Sequence, residues 1–151
     1  MGETLIARNP TAGRDFDLLD RVEAGIELKG AEVKSLRAHR ANLKDSFARI
    51  DGGEVQLHGL DISPYPQAGP FAPEPKRIRR LLLHRNQIQR LEGQVARGGM
   101  TLVPTRLYFK GSLVKVELAL AKGKRSFDKR ETIKRRETER EIQRVLKSRK
   151  G

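Results

Sequence analysis

The sequence predicts a small, mainly β protein: an antiparallel barrel with flanking helices, followed by a basic C-terminal tail. Three observations predict it. Strand-length stretches of alternating or β-rich character recur between Asp15 and Leu120, several joined by short glycine turns. Two stretches of helical character interrupt them. Beyond Ala121 the chain turns strongly basic and nearly loses its large apolar residues.

The elements follow in order. Residues 1–13 are expected to be a flexible N-terminus. A strand, bent at Gly25, is expected over 15–28, and a short helix over 31–38 after Gly30. Residues 43–50 and 54–60 form a hairpin around Asp51-Gly52-Gly53. Residues 63–76 carry Pro64, Pro66, Pro70, Pro73 and Pro75 and are expected to be a surface loop. The helix at 85–97 repeats Ile88, Leu91 and Val95 on one face, and Gly98-Gly99 ends it. A last hairpin joins 101–109 to the clearest strand, in which Val114, Val116, Leu118 and Leu120 face one way and Lys115, Glu117 and Ala119 the other. Pro104 belongs at an edge or a bulge. Five or six short antiparallel strands with a helix between them suit a small barrel of the oligonucleotide-binding (OB) type; an open α+β sheet is the alternative.

Charge separates two parts. The 151 residues carry a net +13. Residues 1–121 hold 19 basic and 14 acidic side chains, and residues 122–151 hold 13 and 5. One fifth of the length thus contributes more than half of the excess, which attracts polyanions, nucleic acid foremost. From Lys129 onward the large apolar residues are Ile133, Ile142, Val145 and Leu146. That is too little to offset a backbone ordering cost of ~1–2 kcal/mol per residue, so the tail is expected to be disordered when free. It is nevertheless ready for a helix. Glu131 with Lys134 or Arg135, Arg136 with Glu139, and Glu141 with Arg144 sit at i,i+3 or i,i+4 spacing, with Ile142, Val145 and Leu146 on one face.

Several chemistries find no support. There are no cysteines, which excludes disulfides and thiolate chemistry and fits a reducing cytoplasm. His39, His58 and His84 lack metal-ligand spacing, and the carboxylates lie mostly beside basic residues. Gly123-Lys124-Arg125 is no phosphate loop. No enzyme, metal or cofactor is expected. No apolar run is long enough to span a membrane, and Met1–Ile6 does not read as a secretory signal. Arg77, Arg79, Arg80, Lys122, Lys124 and Arg125 suit phosphates, and Tyr108, Phe109 and Phe127 are candidate stacking faces, one of the neighbours Tyr108 and Phe109 being core.

Four stretches resemble one family. They are Glu23-Ala24-Gly25-Ile26 leading into Gly30-Ala31-Glu32-Val33-Lys34-Ser35-Leu36-Arg37; Asn42-Leu43-Lys44-Asp45-Ser46-Phe47; Arg80-Leu81-Leu82-Leu83-His84; and Val116 to Lys124 followed by Asp128-Lys129-Arg130-Glu131. Together they resemble the small protein B family, the tmRNA-binding (SsrA-binding) proteins of bacterial trans-translation. The resemblance implies an OB-like barrel that binds the tRNA-like domain of tmRNA. It also implies a tail that becomes a helix in the empty decoding site and message channel of a stalled ribosome. Carried over by position, Glu32, Lys34, Arg37, His84, Lys122, Gly123 and Lys124 become RNA-contact candidates, and Asp128, Lys129, Arg130, Val145 and Leu146 ribosomal tail candidates. Elongation factor Tu is a further partner within such a complex, direct contact being left open, and a cytoplasmic monomer is expected. The N-terminal segment departs from the family pattern: Asn9, Asp15 and Phe16 are kept, Pro10, Thr11 and Gly13 replace basic or polar residues, and Arg14 stands in place of histidine. A structural ribosomal protein or a general single-strand binder is the rival reading.

Overall fold

The computed structural model describes residues 2–124. The tail from 125, with Asp128, Lys129, Arg130, Val145, Leu146 and Phe127, lies outside the described residues. The elements are β1 (Glu3–Arg8), α1 (Ala12–Asp15), β2 (Phe16–Ile26), α2 (Gly30–Arg37), β3 (Ala41–Asn42), β4 (Phe47–Asp51), β5 (Glu54–His58), β6 (Asp61–Ile62), a 3-10 turn at Pro66–Phe71, β7 (Arg79–Leu82), α3 (Arg85–Gly98), β8 (Thr101–Lys110) and β9 (Leu113–Gly123).

All strand pairings are antiparallel, and six strands form a ring: β8, β4, β5, β7, β2, β9 and back to β8. This is the small OB-like barrel rather than the open sheet. The ring closes between β4 and β8 through one pair of residues, Ala48 and Leu102. A single long strand serves three neighbours because β8 changes partner along its length: Leu102 faces β4, while Arg106–Lys110 pair with β1. Pro104 sits at the irregularity that allows this, a register shift against β9 between Pro104 and Arg106. A residue without an N–H donor belongs at such a point.

The core follows the alternation. Val116, Leu118 and Leu120 point inward with at most 2 % of their surface exposed, and meet Val55, Leu57, Leu81, Leu102 and Leu107. Burying each of these contributes about 1.5–3 kcal/mol. α3 lies over the barrel through Leu91, with Ile88 and Val95 half-buried beside it, and ends at Gly99 in the left-handed conformation. The outward face of β9 is not wholly solvated: Ala121 is buried with Val103 under Ala12, against Phe16 and Leu18. Small side chains there let α1 approach the barrel wall.

Three expectations are corrected. Residues 1–13 are not a free N-terminus: Glu3–Arg8 add a seventh strand to β8, with Ile6 buried. The far half of β8 otherwise has a bare edge, and β1 satisfies it. The long strand β2 is irregular between Leu18 and Arg21 against β9, not at Gly25. Gly25 instead permits close approach, since a Cβ there would lie 3.2 Å from the Leu82 Cβ. The first hairpin begins only at Phe47, because Asp45 takes a left-handed backbone (φ 61°) and the Ser46 hydroxyl donates to the Leu43 carbonyl, making residues 43–46 a turn. Among the described residues no helix is long and apolar enough to cross a membrane.

Candidate nucleic-acid interface

The candidate residues fall in three places. The first is α2. Its start is fixed by Glu32 in the first turn, whose Oε1 accepts the Lys29 backbone N–H at 2.9 Å. The 3.6-residue period then divides the helix: Glu32, Ser35 and Leu36 are buried, while Lys34 and Arg37 face solvent.

Glu32 is not placed to meet RNA. It is 3 % exposed, and its carboxylate is taken by protein donors. Arg79 donates to Oε2 from Nε at 2.8 Å and Nη2 at 2.6 Å, and Arg77 donates to both oxygens. Arg79 is fully buried, and its five N–H donors are all used: its other partners are the carbonyls of Leu60, Arg77 and Pro75. Burial pushes the Glu32 carboxyl up, but the hydrogen bonds from Arg77, the Lys29 backbone and Arg79 outweigh it and hold it below the ordinary carboxylate value. Burial likewise lowers Arg79 from the usual arginine value, against the pull of Glu32. The triad ties α2 to the end of the proline-rich loop and the start of β7. Glu32, an RNA-contact candidate by the resemblance, is thus bonded within the fold: two arginines 45 and 47 residues away saturate its carboxylate.

Lys34 and Arg37 are the exposed cations of α2. Lys34 lies over the Tyr65 ring, Nζ 5.4 Å from its centre, which orients the ammonium without neutralising it. Among the described residues, neither these two nor Arg40 and Lys44, in the segment that follows, have a carboxylate within ion-pair distance. Several cations elsewhere are compensated: Arg21 and Arg106 meet Glu117, Arg106 also meets Glu3, Lys110 meets Glu23, and Arg80 meets Glu27 and Glu54. The helix and its following turn are therefore a stretch of uncancelled positive charge, the form that attracts phosphates.

The second place is the end of β9. Gly123 pairs with Phe16 and Lys122 with Asp17, and Lys124 reaches the Gly13 carbonyl at 3.4 Å and the Asp17 carboxylate at 3.7 Å. The third is His84, exposed at the start of α3, where its backbone N–H donates to the Gln87 side chain at 3.0 Å.

Two aromatic expectations resolve. Tyr108 is buried, donates to Glu23 at 2.7 Å and carries the Arg106 guanidinium 4.3 Å from its ring centre; Phe109 is half-buried. Tyr108 is thus closed to a base. Burial, and then Glu23, push its hydroxyl well above the usual phenol value, while the Tyr108 hydrogen bond holds the Glu23 carboxyl below its own. The aromatic that sequence reasoning passed over is Phe47, 39 % exposed and stacked parallel on His58 with ring centres 5.1 Å apart. Its signal was the hairpin register, which sets Phe47 opposite His58.

A closed barrel carrying uncompensated cations on one helix and an exposed aromatic face is the build of a small RNA-binding protein. The comparisons make the class particular. The family described as SmpB protein matches residues 6–148, and the chain belongs to it. An SsrA-binding protein of Carboxydothermus hydrogenoformans is 52 % identical over 147 residues, 97 % of this chain and 99 % of its own. One of Sorangium cellulosum is 58 % identical over 145 residues, 96 % of this chain and 89 % of its own. A solved structure described as "tmRNA-SmpB: a journey to the center of the bacterial ribosome" superposes with a TM-score of 0.66 at 45 % identity, covering 78 % of this chain and 83 % of that one.

Proposed function

We propose that this chain is a non-enzymatic SsrA-binding adaptor that carries tmRNA to stalled ribosomes. The barrel, residues 1–121, grips the tRNA-like domain, and the tail, residues 122–151, takes the place of message in the decoding site and downstream channel. The observation that carries this reading is the near-full-length likeness to SsrA-binding proteins at about half identity. The charge pattern supports it physically. A tail with 13 basic and 5 acidic side chains is drawn into an RNA-walled tunnel, and it fits there only when mRNA is absent. Lys34 and Arg37 are the barrel's phosphate contacts, with Lys122, Gly123 and Lys124 at the junction with the tail. Asp128, Lys129 and Arg130 act in the decoding site, and Val145 and Leu146 anchor the tail helix.

Competition tests the reading. At near-physiological salt, unlabelled tmRNA should displace labelled tmRNA on the order of a thousandfold better than an equal mass of unrelated structured RNA, the low end of specific over non-specific discrimination. Equal competition would make the protein a general cationic binder.

The two α2 cations have their own test. Changing Lys34 and Arg37 together to alanine should reduce the slope of log affinity against log salt by about two, since each phosphate contact releases about one counterion. Filter binding of tmRNA across a salt series reads this, and an unchanged slope moves the interface off α2.

A further inference from the structure

A cleft of about 550 Å³ lies between the N-terminal segment, the turn before β4 and the end of β9. Phe47 stands in its wall, Arg14 and Asp15 line it from α1, and Gly123 and Ala12 keep it open. We propose that this cleft takes one unpaired RNA nucleotide, its base stacked on Phe47 and its phosphate on Arg14. This rests on the RNA-binding reading and adds a nucleotide subsite to it.

Four features of the structure support the assignment. Phe47 is an apolar ring held 39 % exposed at the start of a strand, where burial would be the stable choice. Its plane is fixed from behind by His58, 4° from parallel, so one face is a prepared platform; a base stacks there without a rotamer search. The wall beside it is built to fixed geometry. Asp45 has a left-handed backbone, and Gly59, itself at φ 83°, lets that turn press close: a Cβ on Gly59 would stand 3.1 Å from the Ser46 Cα and 3.2 Å from the Asp45 carbonyl oxygen. The turn beside Phe47 is thereby held close to the neighbouring chain, so the wall of the cleft has a set shape. Finally, Arg14 is held through Nε by Asp15 at 3.1 Å, yet 60 % of its side chain is exposed, so the guanidinium is aimed and still open to a phosphate. The N-terminal segment reaches this place because Asn9 is pinned to the β8 bulge, its side chain donating to the Pro104 carbonyl at 2.9 Å and its backbone N–H to Thr105 at 2.8 Å.

The probe is a hexaadenylate RNA with 2-aminopurine at its centre, read by fluorescence against the full-length protein. The wild type should quench the probe, and Phe47→Tyr, which keeps the ring, should do the same. Phe47→Leu should lose the quench and bind about ten- to a hundredfold more weakly, the usual loss for one stacked base. Arg14→Gln should weaken binding and lower the salt slope by about one. Unfolding curves of each variant confirm that the barrel is intact. Wild-type quench and affinity in a folded Phe47→Leu protein would overturn the subsite. The same variants are titrated with the tRNA-like domain of tmRNA. If the wild type binds the oligonucleotide but not that domain, the adaptor reading fails and the subsite stands; if it binds the domain but never quenches the oligonucleotide, the reverse holds.

Discussion

Replacing Glu32 by alanine is expected to cost the fold about 3–5 kcal/mol, measured as the shift in urea unfolding, because it removes one partner of a buried ion pair and strands the other. Arg79 is fully buried and would keep three carbonyl partners but lose its carboxylate partner. Arg77 would lose the same partner. Three segments loosen together: the first turn of α2, the end of the proline-rich loop, and β7. A loss below about 1 kcal/mol would mean that water reaches Arg79 easily, and Glu32 would be no strut. The paired change Glu32→Leu with Arg79→Met should recover part of the stability, since it removes both buried charges, although the carbonyls of Leu60, Arg77 and Pro75 lose their donor. At a temperature where Glu32→Ala remains folded, its affinity for tmRNA should match the wild type. That outcome separates a positioning acid from an RNA ligand.

The same contact sets an acid limit. The Glu32 carboxyl is held below its ordinary value of 4.5 in the folded protein. The stability it contributes is complete at pH above that value and disappears as pH falls through the lowered one, because protons then bind the unfolded chain more readily than the native carboxylate. Glu117 and Glu23, also held low, act in the same direction. The Glu32→Ala protein should show a shallower loss of stability on acidification.

What could be read from the sequence were features whose causes are local. The inward face of β9, the turn at Asp51-Gly52-Gly53, the end of α3 at Gly98-Gly99 and the bulge at Pro104 each follow from a few adjacent residues, and all are present. What escaped depends on partners distant in the chain. β1 is six residues of mixed character that become a strand only against β8, some hundred positions later. Glu32 reads as a free acid in a basic protein until Arg77 and Arg79 are folded against it. Phe47 carries no mark of its own in the sequence, and only the closed ring shows that it stands in the wall of an open cleft. Lys34 and Arg37 were legible as cations, but their importance comes from the carboxylates that folding sends elsewhere.

Removing residues 129–151 is expected to abolish tagging on stalled ribosomes while leaving affinity for the tRNA-like domain almost unchanged. The segment carries ten basic and four acidic residues, so a protein that bound RNA through net charge alone would lose much of its affinity and salt dependence with it. The adaptor reading gives the segment a different task. On that reading the segment takes shape on a partner, and the ordering cost is met only inside a channel that message has left. Charge and shape can then be separated within the tail. Changing Val145 and Leu146 together to alanine keeps every cation and removes the apolar patch, so tmRNA affinity and salt slope should stay unchanged while tagging falls steeply. Tagging is read in a translation reaction on a message without a stop codon, and affinity by filter binding of the tRNA-like domain. Should truncation weaken tRNA-like domain binding as severely as tagging, the barrel and the tail would be one RNA-binding surface and the division of labour between them would be lost.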